Sequence, residues 1–131
     1  MQITHDTRTF YERLGGEIPL RQLVQHFYDH MDTLQETKPI RDMHASDLKS
    51  AEDKLFMFLS GWMGGPSLYI KKFGHPRLRQ RHMPFAIDES ARDQWILCMQ
   101  HALDDVVSEQ SLRKELLHAL YKVADFMRNK A

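Results

Sequence analysis

The chain has 131 residues, with 18 Lys and Arg against 18 Asp and Glu, 42% hydrophobic and 27% charged residues, the make-up of one ordinary globular domain spanning 1–131. That balance excludes a strongly basic nucleic-acid binder, an acidic solvating tail and wholesale disorder. Its longest apolar runs, residues 55–59 and 95–99, fall far below the ~20 residues that cross a bilayer, and the opening MQITHDTRTF carries no secretory apolar stretch, so the expected setting is cytoplasmic, with no membrane partner.

A short helix is expected near residues 7–14, closed by Gly15-Gly16. Next, Leu20, Leu23, Val24, Phe27, Tyr28 and Met31 recur at i, i+3, i+4, i+7, i+8 and i+11, one face of a 3.6-residue period. Pro19 suits the first turn of this helix. A second periodic segment carries Leu48, Ala51, Leu55, Phe58, Leu59 and Trp62, widened by Phe56 and Met57, and stops at Gly64-Gly65-Pro66. Residues 64–88 then read as an irregular connection of 25 residues, long for a compact bundle unless it has a task. Lys71, Lys72, Arg77, Arg79 and Arg81 lie there with no acidic residue between Lys71 and His82. They either meet something anionic or form a solvated loop.

Asp88 is the expected N-cap of a third long helix, with Ala91, Trp95, Cys98, Met99, Ala102, Leu103 and Val106 facing inward. Ser108 or Ser111 is expected to cap a fourth, whose apolar positions are Leu112, Leu116, Leu117, Leu120, Val123, Ala124 and Met127. No strand alternation and no repeat of domain-building length occurs. The reading is an all-α domain of four long helices.

Cys98 stands alone, which excludes an internal disulfide and any multi-cysteine zinc or iron–sulfur site within one chain. Histidine, by contrast, is abundant at eight residues. His5, His26, His30, His75, His101 and His118 read as surface or loop groups. His26 and His30, at i, i+4, have a spacing zinc or copper uses, but Gln22 and Asp29 beside them favour a plain surface pair. His82 differs, because a brief helix ending at Pro84 would set it among Leu78, Met83 and Phe85. A buried neutral imidazole is a good iron ligand, although a satisfied core histidine is the alternative.

Arg79 and Arg81 beside His82 suit the carboxylates at the rim of a haem. Phe27, Phe58, Leu59, Leu78, Phe85, Met99 and Val106 offer apolar lining, or simply pack together. Tyr28 and Trp95 bring polar groups onto inward faces; facing one cavity, they are two donors for a polar diatomic ligand, and facing apart each needs only a backbone carbonyl.

With these residues in view, the sequence resembles the truncated haemoglobins of the second group. The match is carried by Phe27-Tyr28, Gly15-Gly16, Gly64-Gly65-Pro66, the run from Gly74-His75-Pro76 through Arg81-His82-Met83-Pro84-Phe85, and Arg92-Asp93-Gln94-Trp95 followed by Cys98-Met99. The resemblance implies a two-over-two helical sandwich, a shortened globin with a vestigial first helix and an extended segment before the proximal histidine. It implies haem b held by His82, distal donors in Tyr28 and Trp95, and Ala51 and Leu55 on the distal helix. Lys54 and Arg81, with Tyr69, resemble groups that approach the propionates. The stretch 37–48 (TKPIRDMHASDL) is longer than the family's commonest pattern and puts His44 in the distal region, as a hydrogen-bonding group, a sixth iron ligand or an exposed loop residue.

The expected partners are dioxygen and other diatomic ligands, with nitric oxide or peroxide chemistry served by a separate reductase, and the expected state is a monomer or weak homodimer. Two rival classes are a cofactor-free helical interaction domain using the basic 71–82 loop and a non-haem metal protein built on the histidines. Near-zero net charge weakens the first. The second lacks the carboxylate and histidine spacing of a di-iron bundle.

Overall fold

The computed structural model describes residues 7–131, so the terminal His5 lies outside it. Helix α1, Phe10–Leu14, starts in a capping box: the Glu12 amide donates to Thr9 Oγ1 at 3.1 Å and the Thr9 amide to Glu12 Oε1 at 3.1 Å. Gly15, with φ +110°, ends it. Helix α2, Glu17–Thr33, takes Pro19 in its first turn and buries all six residues of the periodic face. A 3-10 turn at Gln35–Thr37 leads to α3, Lys38–Asp42.

Helix α4, Lys49–Trp62, ends in a Schellman pattern: the Gly65 amide donates to Ser60 O at 2.8 Å and the Gly64 amide to Gly61 O at 3.1 Å. Gly64 has φ +92° there. Gly65 is required for another reason, since a Cβ would fall 2.5 Å from the Tyr11 ring. The Tyr11 amide also donates to Met63 O at 3.0 Å, so α1 closes over the end of α4.

The segment 64–88 is more regular than the sequence suggests. It contains α5, Leu68–Phe73, and α6, Leu78–His82, separated by Gly74 to Arg77. Helix α7, Glu89–Val106, is capped as expected, Asp88 Oδ1 accepting from the Ala91 amide at 2.9 Å. Helix α8, Gln110–Phe126, departs from expectation at its start: neither serine caps it, because Ser111 Oγ donates to Glu109 Oε1 at 2.7 Å and Glu109 occupies the N-cap.

Helix α2 packs on α4 in one layer and α7 on α8 in the other, with the broadest contact between α2 and α7. This is the two-over-two sandwich. Leu20, Leu23, Val24, Phe27, Leu59, Cys98, Met99, Ala102 and Leu116 are its fully buried centre. Arg13 pairs with Glu115 at 2.7 Å and ties α1 to α8. No helix among the described residues is long and apolar enough to cross a membrane.

Candidate haem site

His82 is the last residue of α6, a helix that buries no residue of its own. Its Nδ1 lies 2.6 Å from Leu78 O. A carbonyl only accepts, so Nδ1 carries the proton and Nε2 keeps its lone pair, the tautomer a metal ligand needs. Leu78 and His82 are half-buried, while Met83 and Phe85 leave 54% and 41% of their surface exposed. Apolar surface beside an aimed imidazole fits a flat hydrophobic cofactor, so the residues present suit haem.

A residue that sequence reasoning missed fixes this segment. Asn129 Nδ2 donates to Phe85 O at 2.8 Å and to His82 O at 3.2 Å, and its Oδ1 accepts from the Ile87 amide at 2.9 Å. The Asn129 amide returns a bond to Ile87 O at 2.9 Å. Arg79 adds donations to Phe126 O and Arg128 O at 3.3 and 3.2 Å. The residues after α8 therefore strap the histidine-bearing loop. A side chain that pairs with distant backbone leaves no trace in sequence periodicity.

On the other side, α2 and α7 bring Phe27, Tyr28 and Trp95 together. The Phe27 ring stands 4.9 Å from that of Tyr28, edge-on, and 4.9 Å from that of Trp95. Tyr28 is 7% exposed and its hydroxyl donates to Ala51 O at a long 3.4 Å. Burial, helped by the charge of Glu52, pushes its phenol far above the ordinary tyrosine value, so the group keeps its proton. The Trp95 indole makes no hydrogen bond with the described residues. His44 joins this group, its ring 6.0 Å edge-on from Tyr28 and its Nδ1 2.8 Å from Ile40 O. No hydrogen bond or ring contact links His82 to these side chains among the described residues.

Between the two sides, Leu59 and Met99 are fully buried, and Leu55 and Phe58 pack against the core. Val106, in the last turn of α7, packs there too. The third set forms an edge built on α5. Tyr69 lies 6.5 Å from the Phe58 ring and 4.9 Å from Phe73, with the Arg81 guanidinium 6.0 Å above Tyr69 and Lys54 Nζ 5.9 Å above Phe73. Lys54, Tyr69 and Arg81 are thus brought to one rim. Arg81 Nε is engaged with Pro76 O at 2.8 Å. Arg79, by contrast, turns to the C-terminal carbonyls and not to this rim.

A model of the bacterial-like globins matches residues 9–129. The chain is 40% identical over 119 residues to the group 2 truncated hemoglobin YjbI of Bacillus subtilis (strain 168), covering 91% of this chain and 87% of that one. It superposes on the cold-adapted truncated hemoglobin of the Antarctic marine bacterium Pseudoalteromonas haloplanktis TAC125 with a TM-score of 0.92 at 45% identity, over 95% of this chain and 100% of that one. For the group II 2-on-2 hemoglobin of the plant pathogen Agrobacterium tumefaciens the TM-score is 0.91 at 37% identity, over 98% of this chain and 100% of that one. A family match over nearly the whole length, with a group 2 relative 40% identical along most of both chains, decides the matter: the chain belongs to the bacterial-like globins and is, within them, a group II truncated haemoglobin.

Proposed function

We propose that the chain binds haem b through His82 Nε2 and retains dioxygen with Tyr28 and Trp95 as donors. Haem-based binding of diatomic gases goes with the globin family. The observation that carries the reading is the Nδ1 contact of His82 with Leu78 O at 2.6 Å, which orients the ring and leaves Nε2 free. A single cysteine offers no paired thiols for covalent haem attachment, which supports a non-covalently held haem b.

Haem held by His82 would supply an iron able to bind a diatomic ligand. Trp95, whose N–H has no other taker among the described residues, and Tyr28, kept protonated by burial and free to turn its one O–H from the long 3.4 Å bond to Ala51 O, would present donors where such a ligand gathers negative charge. Each donor contributes about 1 kcal/mol in a dry pocket. His44 plays a different part: its Nδ1 donates to Ile40 O, which turns Nε2 toward other partners. That nitrogen is placed to join the hydrogen bonds around a bound ligand or to coordinate iron. Lys54 and Arg81 supply positive charge for the propionates, with Tyr69 between them. Nitric oxide or peroxide turnover, fed by a separate reductase, would use the same donors.

The test is an absorption spectrum of the purified protein. A strong Soret band that is lost in His82→Ala, with helical circular dichroism intact, supports the assignment. A folded protein that takes up no haem defeats it, and an undiminished band in His82→Ala places the ligand elsewhere.

A further inference from the structure

The histidine pair His26 and His30 gains partners that its own helix does not reveal. Both imidazoles aim at one oxygen of Asp105 on α7: His26 Nδ1 lies 3.0 Å and His30 Nε2 2.6 Å from Asp105 Oδ2. One ligand atom from each of the three residues falls within 4.8 Å of the others. One turn before Asp105, His101 lays its ring 5.0 Å from that of His30, tilted by 31°. Two i, i+4 pairs thus face each other across the α2–α7 contact, the broadest in the molecule. The side chains are anchored but open to solvent, 45% exposed for His26, 25% for His30 and 39% for Asp105.

We propose that His26, His30 and Asp105 form a second metal site, separate from the haem, that binds a zinc ion across α2 and α7. Convergence is the first argument. Two imidazoles that only needed solvation would each find water, whereas these turn different ring nitrogens to a single point. The nitrogen and oxygen set is the second. Two imidazoles and a carboxylate suit a borderline divalent ion, and zinc takes three such ligands with water in the fourth place.

Distances are the third argument. Around tetrahedral zinc, ligand atoms stand ~3.3 Å apart, from metal–ligand bonds of ~2.0 Å. The observed 3.0 and 2.6 Å therefore need to open by less than an ångström, within the reach of side-chain rotation on two fixed helices. Each ring that donates a proton to Asp105 moves that proton to its other nitrogen, so the lone pair turns toward the ion. His101, its ring tilted against that of His30 at 5.0 Å, limits the swing of that ring.

The assay is calorimetric titration of the untagged, haem-loaded, chelator-stripped protein with zinc chloride. One equivalent is expected to bind with a micromolar dissociation constant, and the thermal midpoint should climb with zinc because the ion joins two helices of the folded form. His30→Gln and Asp105→Asn should each weaken binding at least tenfold while the Soret band and helicity stay intact. His118→Gln, at an exposed position, should leave it unchanged. Absence of saturable binding, or affinity unmoved by His30→Gln and Asp105→Asn, overturns the proposal. Zinc-edge X-ray absorption of the unmutated protein gives a second reading independent of any variant: two imidazole nitrogens with oxygen neighbours support the site, and an all-oxygen shell refutes it.

Discussion

Replacing Asn129 by Ala should loosen the loop that carries His82 while leaving Tyr28 and Trp95 alone. The side chain makes three hydrogen bonds, to His82 O, Phe85 O and the Ile87 amide. A net hydrogen bond is worth about 0.5–1.5 kcal/mol, and the exposed one to Phe85 O is readily taken over by water, so the sum falls near 2 kcal/mol. At 1.4 kcal/mol per factor of ten, local opening of residues 82–87 becomes roughly 30-fold more favourable. With haem held by His82, release would pass through such openings, so transfer of haem from the ferric protein to excess apomyoglobin should speed up by roughly ten- to thirty-fold. Oxygen dissociation should stay within a factor of two of wild type, since Tyr28 and Trp95 are untouched. Asn129→Asp tests the donor half separately, because a carboxylate cannot donate to the two carbonyls while it still accepts from the Ile87 amide, and haem transfer should quicken in it too. Haem transfer unchanged in both variants would refute the strap.

Trp95→Phe should raise the oxygen dissociation rate about five- to tenfold, and Tyr28→Phe with Trp95→Phe by roughly one to two orders of magnitude if the two contributions add; stopped-flow displacement by carbon monoxide reads both, and unchanged rates count against the donors. Cys98 is fully buried, and desolvation pushes its thiol up to about 11. Its thiolate is then about one part in a thousand at pH 8, so iodoacetamide should label the native protein negligibly over hours and the guanidinium-unfolded protein fully. Rapid native labelling would show that the α7 core opens far more often than its packing implies.

The four long helices are legible because each spans several turns, and a 3.6-residue period needs several turns to declare itself. Tyr28 and Trp95 are legible for the same reason: their register on a periodic face sends them inward. Helices α5 and α6, of six and five residues, are too short to show a period, and they hide in a segment whose Gly and Pro content reads as loop. The start of α8 differs from the expectation because a serine near a helix start looks like a cap whether or not its hydroxyl turns that way; Ser111 turns to Glu109 instead. Asn129 and Asp105 were invisible for a different reason. Each lies on no apolar stripe, and acquires its partners, 42–47 residues away for Asn129 and 75–79 for Asp105, only once the helices have packed.

The entrance to α6 carries a last consequence. Pro76 fixes its own φ near the usual proline value and restricts His75 before it. Arg77 follows in the left-handed region at φ +47°, its amide donating to His75 Nδ1 at 3.0 Å, while Arg81 Nε reaches back to Pro76 O at 2.8 Å. Ordering a residue's backbone costs roughly 1–2 kcal/mol, and here the chain's own bonds have already done so over several residues. Cofactor uptake by such a segment resembles insertion into a set frame more than folding around a guest, and its affinity is correspondingly less reduced by lost chain freedom.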